Sequence, residues 1–180
     1  VKDTIFVKTP YFNKLKWLKD DRETIFDPDY NDILRIAFMY KFGRAKLKDL
    51  VNLLGGRDFE TREYKALIAE ESFVKLSEGV IDFMNQYTFA NFILGIKGAG
   101  FISNKLINSQ ITLDFAYTLY LLLNNDNAIE KSQIKHYVAK WFVMSTLTSR
   151  YIGSPESQMD FDIKRIREKG FPTFFREVEE

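Results

Sequence analysis

Cysteine is absent from the 180 residues, and histidine occurs once, at His136. The first absence excludes structural disulfides, thiolate zinc sites, iron–sulfur clusters and a cysteine nucleophile, and it fits a reducing, cytoplasmic setting. The second leaves one imidazole for any Ser-His-Asp arrangement and excludes a multi-histidine metal site within the chain. An excess of either charge is missing too: 26 Lys and Arg stand against 25 Asp and Glu, a net charge of +1. That argues against a general polyanion binder and leaves only local patches to consider. The most apolar stretch, Phe115 to Leu123, is bounded by Asp114 and Asn124. It is far shorter than the roughly 20 residues needed to cross a bilayer, so a buried core helix and no membrane partner are expected. No charged, apolar and small-residue succession marks a secretion signal. The chain begins at Val1, as expected of a processed product or a fragment of a larger protein.

What is present is helical punctuation. Sustained period-two alternation is scarce, and hydrophobic residues, 46% of the chain, recur at three- and four-residue spacing. Asp27 and Pro28 offer an N-cap and a first helical residue for a stripe of Ile33, Leu34, Ala37 and Phe38 that stops at Gly43. Leu47 to Leu54 ends at Gly55 and Gly56. Tyr64, Leu67, Ile68, Phe73, Leu76, Val80, Phe83 and Met84 imply one long helix, bent near Ser72 or Gly79. Three glycines within Gly95 to Ser103 indicate a loop. Ser109 can cap a helix running from Gln110 through Leu123. Ile134, Tyr137, Val138 and Trp141 begin another stripe. Ser154 and Pro155 then cap a helix that carries Met159, Ile163 and Ile166 and ends at Gly170. The expected class is all-α, an irregular bundle of about six to eight helices. Residues 1–26 form an N-terminal segment, extended or helical, packed on a helical domain of residues 27–180.

Candidate chemistry is thin. Gly95-Ile96-Lys97-Gly98-Ala99-Gly100 has the glycines of a phosphate loop but neither the Gly-Lys-Ser/Thr ending nor a third glycine at Ser103. His136 lies beside Lys135 and Tyr137 with no orienting partner evident, and a surface position is expected. Adjacent carboxylates such as Glu70 and Glu71 point in different helical directions. Asp160 and Asp162 read as surface or capping groups rather than metal ligands. No catalytic, metal or cofactor residue is assigned. Lys41, Arg44, Lys46 and Lys48 occur without an intervening acid beside Tyr40 and Phe42, a pattern suited to contacts with a DNA backbone. Lys164, Arg165, Arg167 and Lys169 form a second basic run, suited to the negative end of a helix dipole.

One stretch carries a family resemblance. Lys140-Trp141-Phe142 leads into Ser149-Arg150-Tyr151-Ile152-Gly153-Ser154-Pro155-Glu156-Ser157, followed by Asp160 and Asp162. It resembles a segment of the domain-of-unknown-function 262 proteins, the family of GmrSD-type, modification-dependent restriction systems. Trp141, Arg150, Tyr151, Gly153, Ser154, Glu156 and Ser157 carry the match, with looser similarity upstream through Gly100 to Ser103. The resemblance implies a prokaryotic multidomain defence protein in which a nucleotide-dependent ParB-like domain and an HNH-like nuclease domain flank an all-helical middle. Neither outer motif occurs here, so the expectation is the helical middle: a non-catalytic scaffold, with the missing flanking domains, DNA backbone or a second protomer as partners. The residues also read as a helix corner, with Trp141 as anchor, Arg150 at a helix end, Gly153 in the turn and Ser154 as cap. Two rival expectations remain. A stand-alone interaction module with no DNA role would expose many of the 17 phenylalanines in a surface groove. A hydrolase would gather His136 or clustered carboxylates in one pocket.

Overall fold

The computed structural model describes residues 25–58 and 61–179, so all but the last two residues of the expected 1–26 segment lie outside the described residues. Among the described residues, eight helices and a short 3-10 turn run in the order α1 (Tyr30–Phe42), α2 (Leu47–Leu54), α3 (Ala66–Phe83), α4 (Gln86–Gly98), the turn Asn104–Leu106, α5 (Gln110–Asn125), α6 (Lys131–Leu147), α7 (Pro155–Lys169) and α8 (Phe171–Glu179). The described residues contain no strand beyond an isolated antiparallel bridge between Arg57 and Tyr64. The all-α expectation holds.

Helix α5 is the axis of the molecule. Its apolar residues do not form a single stripe, and Thr112 through Leu121 are buried without interruption because α1, α4 and α6 pack around it. Tyr117 sits among the rings of Phe26, Phe83, Phe89 and Phe92, with centroids 4.9 to 6.1 Å away. Its hydroxyl donates to the carbonyl of Phe83 at 3.0 Å, which satisfies the polar end of an otherwise apolar residue. Each such ring, moved from water into the core, contributes about 2–3 kcal/mol of transfer free energy.

Several helix boundaries differ from the sequence expectation for local reasons. Helix α1 is capped by Asp29 rather than Asp27: the Asp29 carboxylate accepts from the amides of Asn31 and Asp32, and Asp32 accepts from the amide of Asp29. This reciprocal box satisfies free N–H groups that Asp27 would have left open. Helix α3 runs unbroken. Ser72 and Gly79 mark its buried face, and a Cβ at Gly79 would stand 3.1 Å from the Cβ of Ala37, so the missing side chain lets α3 approach α1 closely. The expected loop at Gly95 begins only at Ala99, because Gly95 and Gly98 belong to α4. Gly95 packs toward Lys135 of α6, and this helix–helix contact outweighs the low helical preference of glycine.

Candidate functional site

The corner between α6 and α7 is where the sequence motif becomes geometry. Helix α6 ends at Leu147, and Ser149 adopts a left-handed backbone with φ of 54°. Gly153, with φ of 94°, completes the reversal in a region that favours glycine. Trp141 is fully buried, 6.0 Å from the ring of Phe115 on α5 and 5.2 Å from that of Phe174 on α8. Tyr151 packs 4.9 Å from Phe115. One tryptophan and one tyrosine thereby join α6, the corner and α8 to the central helix.

The polar side of the corner converges on Asp162, whose side chain is completely buried. Arg150 donates to it through Nε at 2.8 Å and Nη2 at 2.7 Å, a two-pronged pairing that also lays the guanidinium 5.1 Å from the Trp141 ring. The Tyr151 hydroxyl donates at 2.9 Å and the Gln158 amide at 3.0 Å. A carboxylate has about four acceptor positions, and four donors occupy them. Burial first and the Asp162 charge second push the Tyr151 hydroxyl well above the usual phenol range, so it remains a donor. The network leaves Asp162 no vacant lone pair with which to hold a metal.

Two further acids of α7 reach a different element. Helix α2 begins after Lys46, whose side chain makes no capping bond. Asp160 accepts from the amide of Ala45 at 2.5 Å, and Glu156 accepts from that of Leu47 at 3.5 Å. The start of α2 is therefore capped from α7, across more than a hundred residues of sequence. Ser154 occupies the N-cap position of α7 without a side-chain capping bond, and Pro155 supplies the first helical residue. Ser157 is exposed.

The basic residues are largely engaged. Lys41 pairs with Asp82 at 2.7 Å, while Arg44 pairs with Asp49 at 2.8 Å and lies 3.7 Å from Asp160. Lys46 is half-buried and Lys48 is exposed, so the four do not form one open cationic surface. In the second run, Arg165 and Lys169 both pair with Glu177 of α8. Arg167 donates to the carbonyls of Phe42 at 3.2 Å and Tyr40 at 3.4 Å, which caps the C-terminal end of α1.

His136 is exposed on α6 and lines a groove of about 420 Å³ between α4 and α6, together with Leu94, Gly95, Gly98 and Lys135. No carboxylate lines that groove, so it lacks the converging acid and base of a hydrolase site. Gly95 and Gly98 are helical, which commits their backbone to α4 rather than to a phosphate cradle. No group of three or more metal-ligating side chains occurs among the described residues, and no helix there is long and apolar enough to cross a membrane. The phenylalanine-lined surface groove that the rival interaction-module reading requires is not formed by the described residues: most of these rings are buried, with Phe73 and Phe161 exposed. The sequence suggested a surface or capping role for Asp160, but neither Asp162 as a hub nor the start of α2 as the target of Glu156 and Asp160 was legible in it. Only the four-residue spacing of Glu156 and Asp160 hinted that they share a helix face.

No protein-family model matches the chain, and neither the curated proteins nor the solved structures contain a match.

Proposed function

We propose that this chain is a non-catalytic helical scaffold, the middle of a GmrSD-like restriction or anti-phage defence protein that couples a nucleotide-dependent ParB-like domain to a nuclease domain in the cytoplasm. One observation carries the reading. The stretch that resembles that family, Trp141 through Asp162, spends its aromatic and charged groups on joining α5, α6, α7 and α8. A corner of this kind holds angles between helices, which is what a coupling element must do.

The native gene provides the test. ParB-like and HNH-type motifs encoded on either side of this segment, together with nucleotide-dependent DNA cleavage by the full product, support the reading. In that product Arg150→Lys should lower cleavage more than nucleotide hydrolysis, because hydrolysis needs only its own domain whereas nucleotide-dependent cleavage needs the coupling between the two. A gene product ending near both termini of this chain overturns it. The competing reading, a stand-alone interaction module with no DNA role, is favoured by the apolar residues on the solvent side of α3.

A further inference from the structure

Among the described residues two faces stand open, and they carry opposite charge. The first is the outer side of α3. Ser72, Leu76, Gly79 and Phe83 occupy the buried side of this helix. Leu67, Val74 and Ile81, seven residues apart, therefore form a ridge facing away from it, 61%, 58% and 43% exposed. Glu70, Glu71 and Glu78 are exposed along the same helix. The second is the groove between α4 and α6. These two helices carry Lys97, Lys131, Lys135, Lys140 and His136 and not one acidic residue. Small residues, Gly95, Gly98, Ala99 and Ala139, line the groove, with Leu94 and Val143 also facing it. A Cβ added at Gly98 would meet nothing within 4 Å, so the space above it is open.

We propose that the Leu67–Val74–Ile81 ridge of one copy seats in the α4/α6 groove of a second copy. The groove is lined along α6 from Lys135 to Val143, about 12 Å at 1.5 Å per residue, so about two turns of the 18-residue α3 seat in it at once. Small groove residues permit the 8–10 Å axial separation of packed helices. Charge selects the pairing. Two α3 faces would place glutamates against glutamates and two grooves lysines against lysines, whereas ridge on groove pairs opposite signs. The contact is thus heterologous, head to tail, and repeats into a ring or an open chain of copies. A single helix in a groove makes a small interface, so assembly is expected at protein concentrations on the order of 100 μM and should weaken as salt is added. This inference does not rest on the restriction-protein reading.

Sedimentation of the purified chain over a concentration series, in low and high salt, tests it. The mean mass should rise from 21.2 kDa to twice that value and beyond, and fall back with salt. Glu70→Lys with Glu71→Lys blocks only the ridge, and Lys135→Glu with His136→Glu blocks only the groove, since both residues are exposed on its lining, whereas Lys140 is already paired with Glu179 of α8. Each double variant should stay monomeric with an unchanged circular dichroism spectrum. Mixed one to one, the two variants should form a dimer that does not grow, since each retains one working face. A parent chain that stays monomeric throughout, double variants that assemble like the parent, or a mixture that stays monomeric would each overturn the proposal. If the groove instead serves an unrelated acidic protein, the parent chain alone will be monomeric.

Discussion

Arg35 and Asp114 meet 3.3 Å apart between α1 and α5, where the aspartate is fully buried and Asp32 lies 3.3 Å from the same guanidinium nitrogen. One cation thus serves two carboxylates. The second oxygen of Asp114 has no hydrogen-bond donor among the described residues. Burial is the main cause, and the neighbouring Asp32 the next, that pushes the Asp114 carboxyl well above the usual aspartate range, against the pull of Arg35.

That direction gives a pH dependence. A carboxyl whose folded pKa is raised holds its proton more tightly in the folded chain than in the unfolded one. Its contribution to stability is present below the unfolded value of about 3.9 and declines as pH climbs from there through the raised folded value. Asp114→Asn should remove this decline, so its stability relative to the parent chain should improve steadily from pH 4 toward pH 7. Urea unfolding at several pH values measures the difference; a constant offset would contradict the assignment.

At the corner, Arg150 balances a buried charge. Arg150→Ala strands Asp162 in the interior and should cost about 3–5 kcal/mol, while Arg150→Lys should recover part of that because an ammonium supplies charge without the planar fork. The shift in denaturant midpoint reads both. Equal losses for the two variants would mean that the packing of Arg150 on Trp141, rather than its charge, dominates.

The remote capping of α2 predicts a local effect. Glu156→Ala combined with Asp160→Ala removes both acceptors and should cost about 0.5–2 kcal/mol, in the range of a lost helix cap. Hydrogen exchange should accelerate at the amides of Ala45 and Leu47 before it changes in α5. Unaltered exchange at those two amides would show that water replaces the carboxylates without loss.

DNA contact by the first basic patch is expected to be shallow. Lys41 and Arg44 are held by Asp82 and Asp49, which leaves Lys46 and Lys48 to meet phosphates. Fluorescence anisotropy over a salt series should give a log–log slope no steeper than about 2, at roughly 0.9 per phosphate neutralised. Lys46→Ala with Lys48→Ala should flatten it. A much steeper slope would mean that Lys41 and Arg44 leave their partners on binding.

The local signals were legible where a residue acts on its own neighbours. Gly43 ends α1, Ser109 caps α5, and the interval between Phe115 and Leu123 forms a buried helix, all as composition and spacing indicated. The misreadings have two causes, one local and one tertiary. Asp27 lost the cap to Asp29 because Asp32 completes a reciprocal pair, and the glycines at 95 and 98 stayed helical because α6 packs against α4.

The sequence by itself determined the class of this protein: apolar residues recurring every three or four positions can be buried together only on helices, and the missing cysteines and single histidine limit its chemistry whatever the packing. Tertiary structure decided which charges are spent and which are free. Lys41, Arg44, Glu156, Asp160 and Asp162 look like surface charges in the sequence, yet each meets a partner on another element or across the corner. Long-range pairing of this kind depends on which helices come together around α5, and no local pattern records that.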